Sequence, residues 1–294
     1  MKNNLQFESC LYICTCNLQA NLQIKQAKMK KNILVTGASS GFGLLVANEL
    51  HRKGYNVIGT SRNPEKYVEK FPFKMIALDL DSEQSINTFS ERIFKEIGQL
   101  DILINNAGFL VSGIAEETPI ELGRQQLETN FWGTVKVTNA VLPYFRKQKF
   151  GKIITVGSIV GLVSFPNAAY YAASKHALEG YFKSLRYELN EFNISVSMIE
   201  PSAFKTNILD NSSSTLKKIE DYNTLRGKIE KFTNDLVEQA EDPVIVTEKV
   251  LKVVKEDKPK FRNIVGKGTS ALINLQHFAY RILEKGVLKK LNSF

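Results

Sequence analysis

Short, almost wholly apolar runs alternate with longer amphipathic stretches along most of this chain. The runs at 32–36 (NILVT), 55–60 (YNVIGT), 73–80, 101–105, 153–156 and 194–200 are too short for helices and read as strands buried on both faces. Between them, apolar positions at three- and four-residue spacing predict helices over 41 to about 53, 82 to about 97, 119–149, 168–192 and 244–256, the second capped by Ser82 or Asp81. A seventh strand is readable at 263–265. This rhythm predicts one α/β domain: a doubly wound parallel sheet of about seven strands with helices on both faces. In such sheets a ligand sits beyond the carboxyl ends of the strands.

The ends of the chain differ from this middle. The net charge is +9, but residues 29–243 hold 25 basic and 25 acidic side chains, while 244–294 hold eleven Lys and Arg against four acids. The charge therefore belongs to a tail, which argues against a nucleic-acid binder. Residues 269–294 mix Leu, Ile and Phe with Arg281, Lys285, Lys289 and Lys290, and predict a basic C-terminal helix. It either docks on the domain or makes a peripheral contact with an anionic membrane. All three cysteines, Cys10, Cys14 and Cys16, precede the domain, with no histidine before His51 to complete a zinc site. No metal is expected, and a reducing cytoplasm is the simplest compartment. Residues 1–28 read as a disordered extension or as a mis-assigned start ahead of Met29. Residues 29–268 make up the domain, and 202–242, polar and helix-prone with NSSST at 211–215, is either a lid over the ligand edge or a solvated excursion.

Chemistry concentrates where strands end. After the first strand comes Gly37-Ala38-Ser39-Ser40-Gly41-Phe42-Gly43 and then a helix. A glycine turn between strand and helix lets a backbone approach a pyrophosphate, which the helix N-terminus then binds through its N–H groups. Dinucleotide binding follows. An NAD site commonly ends the second strand with an acid, yet 57–64 contain none. Ser61 and Arg62 stand there, and a guanidinium suits a 2′-phosphate, so NADP(H) is favoured over NAD(H). Finally, Tyr171 and Lys175 lie four apart on a predicted helix and share a face. A lysine beside a phenol favours the phenolate, so the Tyr171 pKa is expected to fall toward neutrality, as an acid/base requires.

With these pieces placed, the chain resembles the short-chain dehydrogenase/reductase family, in particular its NADP(H)-dependent carbonyl-, hydroxysteroid- and retinol-type members. The resemblance rests on 36–43 (TGASSGFG), Asn105-Asn106-Ala107-Gly108, Asn130, Ser158 and Tyr171-x-x-x-Lys175, in the family's order and spacing. It implies a Rossmann-type fold and a hydride transfer between nicotinamide and a carbonyl or secondary alcohol. Tyr171 would be the acid/base, Lys175 would lower its pKa and hold the nicotinamide ribose, and Ser158 would hold the substrate oxygen. Asn130 would place a relay water with its side chain. Asp79, with Leu80, would meet the adenine; Asn106, Ala107 and Gly108 would wall the cofactor pocket. Pro201 and Thr206 match the nicotinamide-contacting segment, although Ser202 stands where glycine is usual, and Ser40 replaces the basic residue frequent in NADP(H)-preferring members. The family usually pairs through the helices at 119–149 and 169–192, as dimers or tetramers.

Phe109, Leu110, residues 161–165 with Val163 and Phe165, and Phe204 all follow strand ends and form a candidate substrate pocket. Their apolar character favours a lipophilic substrate. The alternative function is a dinucleotide-sensing protein without catalysis, against which the presence of Asn130, Ser158, Tyr171 and Lys175 together speaks.

Overall fold

A computed structural model describes residues 30–205 and 218–294; expectations placed on 1–29, Thr206 and 211–215 lie outside them. Seven strands form one sheet: β1 (Asn32–Val35), β2 (Asn56–Ser61), β3 (Lys74–Ala77), β4 (Ile102–Asn105), β5 (Gly151–Val156), β6 (Ile194–Pro201) and β7 (Arg262–Val265). Their order is β3-β2-β1-β4-β5-β6-β7, and every pair is parallel. The order reverses between β1 and β4, the crevice where open α/β sheets bind ligands.

Alternation along each strand sends successive side chains to opposite faces. Leu34, Leu103 and Ile153 pack on one face with helices α2 (Glu83–Ile97), α4 (Thr134–Gln148) and α5 (Ala169–Glu188), through Phe89, Phe145 and Phe182. Ile33, Ile102 and Ile154 pack on the other with α1 (Gly41–Arg52) and α7 (Val244–Lys255), through Val46, Leu50 and Val250. Both faces are therefore covered, which is why the strands read as continuous apolar runs. Lys152 breaks the run on β5, but its Nζ donates to the carbonyls of Val253 (2.8 Å) and Val254 (2.9 Å), closing the C-terminus of α7.

Three expected helices differ in detail. The 119–149 helix is α3 (Ile120–Leu127) and α4 joined by a π-helical turn, Glu128–Gly133. Gly133 is the reason it can sit there: a Cβ would come 2.7 Å from the Leu80 Cβ. The 168–192 helix ends at Glu188 and finishes in a 3₁₀ turn, Asn190–Phe192. The C-terminal segment is two helices, α8 (Thr269–Phe278) and α9 (Tyr280–Asn292), because the backbone at Ala279 (φ −147°) leaves the helical region. Helix α6 (Asn223–Glu238), the described helical part of the 202–242 segment, is anchored rather than loose: Ile229 and Phe232 are buried against Leu291 of α9, and Arg226 pairs with the buried Glu117.

Candidate active site

The glycine turn is held by its neighbours. Asn106 Nδ2 donates to the carbonyls of Thr36 (3.0 Å) and Gly37 (3.2 Å). The backbone N–H groups of Asn106 and Ala107 donate to Thr36 Oγ1 (3.0 and 3.1 Å). These four bonds staple the end of β4 to the end of β1. Gly37 adopts φ +64°, and a Cβ there would meet the Ala107 Cα at 2.8 Å. A Cβ on Gly43 would collide with the Gly37 carbonyl oxygen and Asn106 Nδ2. Gly41, also at positive φ, instead faces open space, and Ser40 caps α1 without a side-chain hydrogen bond. The first N–H groups of α1 thus lack intrahelical partners beside an open cradle.

At the end of β2 the Ser61 hydroxyl is buried without a partner among the described residues, and the exposed Arg62 makes no hydrogen bond or ion pair among them. An unmatched hydroxyl, an open glycine cradle and a free guanidinium at one edge suit a ligand carrying hydroxyls and phosphates. The residues present therefore fit the adenosine half of a dinucleotide. Asp79 accepts from the Asp81 N–H at 3.1 Å, while Leu80 and Phe42 pack inward, Leu80 with the α2 core and Phe42 edge-on to Phe204 at 5.9 Å. Pro201 ends β6 and is buried.

Ser158, Tyr171 and Lys175 converge beyond β5. Ser158 starts a 3₁₀ turn, Ile159–Gly161, that lies directly on α5: a Cβ on Gly161 would come 2.9 Å from the Lys175 carbonyl oxygen. The Tyr171 hydroxyl bonds Ser158. Lys175 Nζ donates to the Val156 carbonyl (3.0 Å) and sits 5.6 Å from the centroid of the Tyr171 ring. The expected fall in the Tyr171 pKa does not occur. Burial pushes the phenol up to about 12 despite the Ser158 bond, and burial pushes Lys175 down to about 8. The ammonium faces the ring and the Val156 carbonyl, so desolvation outweighs its attraction for a phenolate.

Asn130, in the π turn, is not free to hold water with its side chain. Its Oδ1 accepts from Phe109 N–H (3.0 Å), and its Nδ2 donates to the Phe109 carbonyl (2.9 Å) and, more weakly, to Ser174 Oγ (3.4 Å). Ser174 Oγ in turn donates to the Tyr171 carbonyl (2.8 Å). The π turn, a feature frequent at functional sites, thus links Gly108-Phe109 to α5. Of the candidate pocket residues, Phe109, Leu110, Val163 and Phe165 remain on this side, Phe165 with its ring 6.3 Å from that of Phe232. Phe204 does not join them; it is buried in the core that contains α1 and α7.

One residue escaped the sequence reading. Glu200, fully buried near the end of β6, accepts from the Ser158 N–H at 2.9 Å. Burial and a hydrogen bond shared with Glu179 hold its carboxyl well above its ordinary range, and Glu179 pairs with Arg262 of β7 (2.7 Å). Its Oε1 is buried with no hydrogen-bond partner among the described residues. The available signal was an acid ending a strand buried on both faces, which demands a partner.

Glu200→Gln, which keeps an acceptor for Ser158 and a donor for Glu179, is expected to leave neutral-pH activity intact. It also removes a pH slope. A carboxyl with a raised folded pKa is protonated in the fold where the unfolded chain, with the ordinary value 4.5, has already ionised, so wild-type stability falls as pH rises through that window. Urea melts between about pH 5 and 8 should show a shallower decline in the Gln variant, and Glu200→Ala should cost about 1–3 kcal/mol at the acid end of that range and less as pH rises. Identical slopes in wild type and Glu200→Gln would refute the raised Glu200 pKa.

With the geometry in place, comparison with known proteins gives the class. Residues 31–217 match the short chain dehydrogenase family, and the chain belongs to it. The chain is 39% identical over 280 residues to the uncharacterized oxidoreductase YusZ of Bacillus subtilis, covering 90% of this chain and 99% of that one. It is 36% identical over 267 residues to the 3-ketodihydrosphingosine reductase of Bacteroides thetaiotaomicron, covering 85% and 96%. Among solved structures, a short-chain dehydrogenase from Streptomyces avermitilis superimposes with a TM-score of 0.76 at 28% identity, over 88% of this chain and 97% of that one. ElxO with NADP bound gives 0.70 at 27% identity, over 83% and 100%. The chain is thus a dinucleotide-dependent oxidoreductase of this family, with a nicotinamide cofactor.

Proposed function

We propose that the protein reduces the carbonyl group of a lipophilic substrate with NADP(H), with Tyr171 as the proton donor. The Tyr171 hydroxyl carries this reading: bonded to Ser158 and pushed up to about 12, it stays protonated at neutral pH. A neutral phenol can give its proton to an oxygen on which negative charge develops. Bound, the dinucleotide supplies the hydride to the carbonyl carbon. Ser158 holds the carbonyl oxygen through its hydroxyl, Tyr171 protonates that oxygen, and a solvent proton restores Tyr171. Lys175 would hold the nicotinamide ribose, Ser61 and Arg62 the adenosine ribose and its 2′-phosphate, and Gly37, Ser39, Ser40, Gly41 and Gly43 the pyrophosphate.

The lipophilic substrate is supported by the apolar, only partly buried Phe165 beyond the Ser158 turn, and by the name of the Bacteroides relative, a 3-ketodihydrosphingosine reductase. An NADPH-oxidation screen of long-chain ketones, 3-ketodihydrosphingosine included, against aldoses tests it. Turnover confined to the sugars would sink the lipophilic reading. Arg62→Ala is expected to weaken NADPH binding about 10- to 100-fold, the worth of one charged hydrogen-bonded contact, and leave NADH unchanged. Fluorescence titration checks this, and unchanged NADPH affinity would remove the basis for the NADP(H) preference. For self-association, the faces at 119–149 and 169–192 carry exposed Ile120, Trp132 and Tyr187.

A further inference from the structure

We infer that the outer face of the two C-terminal helices is a docking surface for anionic lipid membranes. The inner face of α8 and α9 is fully used: Ile273 and Leu283 pack on Ile159 and Val163, and Leu291 packs on Ile229 and Phe232. A helix docked only for stability would be polar on its other side. Here Phe278 is 86% exposed, Ile282 63% and Leu288 53%, among the most exposed large apolar side chains described. At about 100° per residue, Arg281, Ile282, Lys285, Leu288 and Lys289 fall within one arc of about 120°, opposite Leu283, Val287 and Leu291. The three cations of that arc are exposed and make no ion pair among the described residues. Nearby acids do not cancel them: Asp235 is paired with Lys290 (2.6 Å), and Glu284 lies at the rim, accepting from the Tyr280 hydroxyl (3.3 Å).

Cations interleaved with protruding apolar side chains match the headgroup and acyl layers of an anionic bilayer together. A second copy of this chain fits worse, because a two-fold contact through this face would set the same cations against each other. No described helix is long and apolar enough to cross a membrane, so the mode is lying on the surface. The inference is independent of the reaction proposed above.

Sedimentation of the full chain with phosphatidylcholine vesicles, with and without phosphatidylglycerol, tests it. Binding is expected only to the anionic vesicles and is weakened by salt. Combined Arg281→Ser, Lys285→Ser and Lys289→Ser should lower partitioning about 100-fold, at about five-fold per basic residue. Combined Phe278→Ser, Ile282→Ser and Leu288→Ser should lower it at least about 10-fold. All six positions are exposed, and thermal melts matching wild type would establish that both variants fold. Absence of binding to anionic vesicles at low salt overturns the inference. So does binding that neither variant weakens, which would place the contact elsewhere, or binding sensitive to the charges alone, which would indicate plain polyanion attraction. A dimer in solution that the apolar variant dissociates would assign the face to self-association instead.

Discussion

Tyr171→Phe lowers kcat for ketone reduction by about 100- to 10,000-fold, the range for loss of a positioned proton donor, while nucleotide affinity stays within a few-fold of wild type. The substitution removes one oxygen and leaves the ring, so the 5.6 Å packing of Lys175 on that ring survives. It also leaves the Ser158 hydroxyl, which still accepts from the Val160 N–H at 3.3 Å, so the substrate oxygen keeps one contact. Residual activity should come from that contact and from hydride positioning. Steady-state rates beside a titration of NADPH fluorescence separate the two effects. Equal kcat in both proteins would remove Tyr171 from the chemistry. A large fall in nucleotide affinity with kcat preserved would make Tyr171 a binding residue only.

Gly43→Ala has the second large effect, and it acts through backbone rather than chemistry. The added methyl would overlap the Gly37 carbonyl oxygen and Asn106 Nδ2, and neither is the far end of a flexible chain. Asn106 is tied to the carbonyls of Thr36 and Gly37. Either the turn moves away from α1 or both of those bonds break, at about 0.5–1.5 kcal/mol each, with strain in addition. A total near 2–3 kcal/mol lowers Tm by roughly 4–12 °C for a chain of this size. Because the displaced atoms form the proposed phosphate cradle, NADPH affinity is expected to fall about 100-fold, in line with the cost of a misplacement of about 1 Å. Gly180→Ala is the control: on α5 its Cβ would meet nothing within 4 Å, and Ala is the better helix former. That variant should match or exceed wild-type stability. Wild-type Tm and NADPH affinity in Gly43→Ala would show the turn to be slack.

Much of this molecule is legible in its sequence. Leu34, Leu103 and Ile153 on one face and Ile33, Ile102 and Ile154 on the other are consecutive apolar positions that only a sheet covered on both sides could absorb. Glycine spacing located the turns, because φ near +64° at Gly37 and close approach at Gly43 leave glycine as the residue that fits. The order of strands and helices put both glycine segments, Ser158 and the Tyr171–Lys175 face on one edge. These are properties of backbone geometry and local periodicity, and the chain writes them directly.

What only the tertiary structure decided depends on which side chains meet across the sheet. Glu200 is 21 residues from Glu179 and 42 from Ser158 in sequence, yet it accepts from the Ser158 backbone, and burial beside Glu179 raises its pKa. Asn130 was legible as an unusual helical residue, but its use as a clamp on Phe109 depends on a π turn that shifts its register. Phe204 follows a strand end like the pocket residues, and packing against Phe42 takes it into the core instead. The direction of the Tyr171 shift reversed for the same reason: a lysine four residues away is a sequence fact, whereas the depth at which both groups are buried is a property of the whole fold, and burial won.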